Sequence, residues 1–142
     1  MGDAHSALLD LAVQLATRQA AGERLSAAQQ AVSDVMWIDT QVSANGFDGW
    51  LYNTSIEQMK RTLEALNTLG CSRVANIAKR ALAAVGVDLQ TMSDDLREER
   101  LDALTDEDRD RLSELDDEFY DAVDECMESC KSFVDAHPAE FR

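Results

Sequence analysis

The chain has 142 residues, 45% of them hydrophobic, enough for one domain with an ordinary core and too much for wholesale disorder. Its 28 acidic residues outnumber its 13 basic ones for a net charge of −15. That balance leaves no cationic patch to neutralise phosphates and sets the chain against anionic membrane surfaces.

One proline, six glycines and plentiful Ala, Leu, Glu, Gln and Arg favour helix over long stretches, and no segment alternates as a strand does. The predicted fold is all-α, one domain over 1–142 with about six or seven helices and a long acidic helix at the end. The first helix is expected from Ser6 to Arg18, with Leu8, Leu11, Ala12 and Leu15 on its apolar face. Ser26-Ala27-Ala28-Gln29 has the pattern of a capping box. The helix it opens carries Val32, Val35, Met36, Asp39 and Val42, and is expected to stop near Asn45-Gly46, which tolerate the left-handed conformation.

The stretch from Phe47 to Asn53 places Phe47, Trp50 and Tyr52 between glycines and reads as a compact turn or short helix locked into the core. Thr54 or Ser55 caps the next helix, whose Met59, Leu63, Leu66 and Leu69 share one side. Gly70 ends it and Ser72 is expected to cap its successor, which uses Val74, Ile77, Ala78, Ala81, Leu82 and Val85 and stops at Gly86. A shorter helix follows from Ser93 to Ala103. Thr105 then caps the last one, with Asp106, Glu107 and Asp108 at its positive end and Pro138 limiting its far end.

Charge is concentrated in the final third. Residues 94–142 hold 19 acids and 6 bases, a balance of −13, against −2 for residues 1–93. Counted at about 100° per residue, Glu114, Asp117, Asp121, Asp124 and Glu128 all fall within about 40° of Asp110. Leu112, Leu115, Phe119, Ala122, Cys126, Cys130 and Phe133 cluster on the opposite side and form the predicted core face. The carboxylate row is about 27 Å long with a charge every turn. Only Arg109, Arg111 and Lys131 lie in this helix to relieve it. Its uncompensated repulsion favours a basic protein partner, and Asp94, Asp95, Glu98, Glu99 and Asp102 are candidates for a second row.

Other chemistry is thin. Asp106, Asp108 and Asp110 resemble the start of a calcium loop, but Arg111 stands where that loop needs glycine, and capping by Thr105 explains these acids better. Cys71, Cys126 and Cys130 are an odd set, expected as buried small side chains; with His5 and His137 near the two ends, no metal site is predicted. There is no phosphate loop, nucleophile elbow or paired-histidine helix, so neither an enzyme nor a cofactor is expected. Asn53-Thr54-Ser55 has the form of a glycosylation acceptor. However, the start lacks a basic leader, Asp10 and Gln14 interrupt its apolar stretch, and no run approaches the roughly 20 residues of a membrane span. The expected location is the cytoplasm.

Three blocks across residues 34–141 resemble the bacterial DNA-mimic protein family, an all-helical domain otherwise of unknown function. They are Gln41 to Ser55, with its Asn45-Gly46-Phe47 turn, Ala65 to Cys71, and Leu115 to Tyr120 continuing to His137-Pro138 and Phe141. The chain departs from the family at Asn45, where glycine is usual, at Ala44 for asparagine, at Gln41 for glutamate and at Gly49 for glutamine. Asn45, Gly46, Phe47, Trp50, Tyr52 and Asn53 read as a structural turn. The resemblance implies a homodimer whose acidic surface imitates duplex DNA and occupies a basic DNA-binding protein, a transcription regulator or a nuclease-like protein. The row supplies the candidate phosphate surrogates Asp110, Glu114, Asp117, Asp121, Asp124 and Glu128. Immunity against a basic toxin or nuclease, and acidity that serves only solubility in a dimeric domain, are the alternatives.

Overall fold

Capping chemistry sets most of the helix ends. In the computed structural model, which describes residues 2–141, the helices are α1 (Gly2–Ala20), α2 (Ala27–Asn53), α3 (Ile56–Thr68), α4 (Ser72–Val85), α5 (Asp94–Asp102) and α6 (Asp106–Ala136). Ser26 and Gln29 close the predicted capping box at α2. Ser55, Ser93 and Thr105 each accept a hydrogen bond from the third residue of the helix they open. At the end of α3, Gly70 takes φ +78° and the Cys71 N–H reaches back to the Leu66 carbonyl at 2.7 Å, closing the helix in a Schellman turn. Gly86 does the same for α4 in the left-handed region.

Three expectations need correction. α1 begins before Ser6, because His5 docks on Asp39 of α2, with Nε2 2.8 Å from the carboxylate. α2 does not stop at Asn45-Gly46: it breaks there, with φ 71° and ψ −177° at Gly46, and resumes to Asn53. A backbone in that region is open essentially to glycine alone. Ser72 is the first helical residue of α4 and not its cap; Cys71 holds the cap position and its thiol turns inward to the Cys126 carbonyl at 3.5 Å, so it makes no cap bond. Of Thr54 and Ser55 it is Ser55 that caps α3, because the buried Thr54 hydroxyl accepts from Trp37 Nε1 at 2.9 Å.

The long helices α2 and α6 cross the middle of the bundle. α1 covers both, α3 packs on α2, α4 packs on α6, and α5 leans on α2. The core is continuous through all six, running from Leu8 and Leu15 through Val35, Trp50, Met59 and Ile77 to Leu101, Leu112 and Phe119. The periodic apolar positions read from the sequence of α3, α4 and α6 are buried, with Leu63 and Phe133 partly so.

Candidate functional site

The buried face of α6 decides where its carboxylates point. Leu112, Leu115, Phe119, Ala122, Cys126, Met127 and Cys130 are buried, so the opposite side of the helix stands in solvent. Asp110, Glu114, Asp117, Asp121, Asp124 and Glu128 are all exposed there. Among the described residues none of the six makes an ion pair or a side-chain hydrogen bond. The three bases of the helix are spent elsewhere: Arg109 on Asp48 at 3.2 Å, Arg111 on Glu107 at 3.0 Å and Lys131 on Asp135 at 2.6 Å.

The flank of the row is different. Glu118 accepts both Nη groups of Arg80 on α4, at 2.6 and 3.0 Å, and Glu125 lies 3.6 Å from Arg73. The Arg80 guanidinium holds the Glu118 carboxyl below its ordinary range. This pairing escapes the sequence reading. Arg73 and Arg80 are seven residues apart, as are Glu118 and Glu125, but the match means something only once α4 lies antiparallel along α6.

The proposed second row is shorter than expected. Asp94 is taken by the Ile56 N–H at 2.8 Å and by Arg97, and Glu98 lies 3.9 Å from the same arginine. Asp95, Glu99 and Asp102 remain exposed on the outer face of α5, opposite Arg97 and Leu101.

The aromatic turn works on the inner side of α6. Phe47 and Trp50 are fully buried, and Phe47 meets Trp50 and Phe119 edge to face at 6.1 and 5.8 Å. Tyr52 corrects the picture of three rings in the core, because it is 45% exposed at the end of α2, where the helix has turned it outward. Asn45 and Asn53 are exposed too, and Asn53 donates to Gln41 at 3.0 Å. Asp116 of α6 accepts the Phe47 N–H at 2.8 Å. Burial, with Asp117 and Asp48 nearby, raises its carboxyl above the ordinary range against the pull of that hydrogen bond. The turn thus pins the back of the helix whose front carries the row.

Among the described residues, Asp39 Oδ1, Trp50 Nε1 and Arg97 Nε are buried without a hydrogen-bond partner, whereas the buried Asp34 is held. The carboxylate of Asp34 borders a hollow of about 400 Å³ between α2 and α3, but Arg61 grips both its oxygens at 3.1 Å and Gln30 adds a third bond. The three cysteines are free and buried. Contact with Cys71 and then burial push the Cys126 thiol up, and burial pushes Cys130 up to about 12, so both stay protonated.

Residues 23–137 match the DMP19-like protein family. The chain belongs to that family. It is a family of DNA mimics, and the match takes in α2 to α6 with both the aromatic turn and the row. No curated protein and no solved structure matches the chain. Among the described residues, no helix is long and apolar enough to cross a membrane.

Proposed function

We propose that this chain is a non-enzymatic cytoplasmic DNA mimic, acting as a homodimer, whose α6 row occupies the basic surface of a DNA-binding protein. One observation carries the reading: six exposed carboxylates on one helix face stand without an ion pair, while Glu118 and Glu125 on their flank are held by Arg80 and Arg73. A surface shaped only for solubility has no need to leave one file bare and pair its neighbours.

The charges repeat at about 5.4 Å per turn, coarser than the 3.4 Å rise per phosphate of one DNA strand. The row therefore copies the sign and line of a backbone and not its exact spacing, and flexible Arg and Lys side chains can bridge the difference. Association of this kind is steered by charge and weakens steeply with salt. Dimerisation is supported by the outer face of α1, where Leu9 and Val13 are exposed and Ala16 and Ala20 continue the same stripe without a charge. Two chains of −15 each can meet there without setting carboxylates against one another.

The test is a low-salt pull-down from native lysate, eluted with a salt gradient and then with duplex DNA. A basic DNA-binding protein released by DNA is the expected result; a basic partner that DNA does not displace favours the immunity reading. Changing Asp117, Asp121 and Asp124 together to Asn is expected to weaken the captured complex about tenfold or more without lowering the melting temperature. Unchanged affinity in that variant sinks the role of the row.

A further inference from the structure

The row is one carboxylate wide because α4 makes it so. Glu118 and Glu125 project about 60–80° from the direction of Asp110, immediately beside the row. Left alone they would broaden the exposed charge into two parallel files. Arg80 and Arg73 cap them in an antiparallel ladder: the rungs are about 10.5 Å apart on both helices, so the two pairs close together. Arg80 is further fixed by its Nε, which donates to Asn76 at 3.0 Å. Both guanidinium groups are about half exposed.

We propose that Arg73 and Arg80 are specificity-determining residues of the partner-binding face, holding it to a single file of carboxylates and turning away partners that bring a second file of cations. A cationic group approaching that flank meets arginine where the sequence of α6 alone would offer glutamate. A partner with one line of cations, such as one basic helix laid along α6, meets the row and clears the ladder. This rests on the reading of the row as the binding face.

Two helical peptides of about 19 residues test it. Each carries six arginines: the first in one file at i, i+4, i+7, i+11, i+14 and i+18, the second split into two adjacent files of three. Wild-type protein is expected to bind the single-file peptide about fivefold more tightly at low salt. In Arg73→Gln/Arg80→Gln that preference is expected to vanish or reverse. Glu118→Gln/Glu125→Gln, which leaves the arginines in place and unpaired, is expected to sharpen it. Both pairs are exposed, so circular dichroism melts close to wild type are expected for both variants. If the preference is the same in all three proteins, the ladder does not select partners, although the row still binds them. If wild-type protein binds neither peptide, the binding face itself is refuted and the selectivity with it.

Discussion

Asn45 and Gly49 are one physical unit. The break at Gly46 tips the chain so that a side chain at position 49 would place its Cβ 2.3 Å from the Cβ of Asn45, closer than any real contact. Only one of the two positions can carry a side chain. The resemblance described above implies glycine at the first and glutamine at the second; this chain has Asn45 with Gly49. Asn45 fits because, among the described residues, no residue other than glycine has positive φ. Two departures from the family therefore reduce to one exchange. Gly49→Gln alone is expected to destabilise the fold by about 1–3 kcal/mol, the usual cost of overpacking. Adding Asn45→Gly is expected to recover most of that loss. A urea double-mutant cycle measures the coupling, and simple additivity would refute it. Gly46 admits no such exchange, since its backbone needs glycine and a Cβ there would lie 2.5 Å from the Asp116 carboxylate.

The helices were legible where local chemistry acts alone. Ser26, Ser93 and Thr105 announce their helices because a hydroxyl can satisfy an N–H three residues on whatever the rest of the chain does. The apolar spacing of α6 likewise fixes which side faces the core, and so which acids face out. α5 was harder to read, with few apolar residues to orient it. Its place depends on Arg97, whose side chain is only 5% exposed and joins Asp94, which also holds the Ile56 N–H, to the Tyr52 carbonyl at the end of α2. Arg97→Ala is expected to cost about 2 kcal/mol in urea unfolding and to open residues 94–102 to limited proteolysis, because it leaves that carbonyl unpaired and α5 without its anchor. A loss below about 0.5 kcal/mol, the range of ordinary surface changes, would show that Leu101 holds the helix unaided.

The molecule as a whole carries its charge as a standing strain. Like charges one turn apart cost a few tenths of a kcal/mol each, and six stand in one file with no counter-charge. Salt shortens the reach of that repulsion, from about 10 Å at 0.1 M to about 3 Å at 1 M. Stability and binding are therefore expected to move in opposite directions. Thermal melts between about 0.02 and 0.5 M sodium chloride should rise, while affinity for a basic partner over the same range falls. A melting temperature that falls with salt would mean that attractive pairs outweigh the bare row.

The sequence by itself determined the all-helical class, most helix ends and the outward direction of the α6 carboxylates, because caps and the 3.6-residue period act within about one turn. Only the tertiary structure decided which carboxylates stay free. Arg80 and Arg73 reach Glu118 and Glu125 across 38 and 52 positions of the chain, and Asp94 is withdrawn from the second row by contacts with α3 and α5. Neutralisation depends on which helices lie side by side, and that order is set by how the apolar faces pack together.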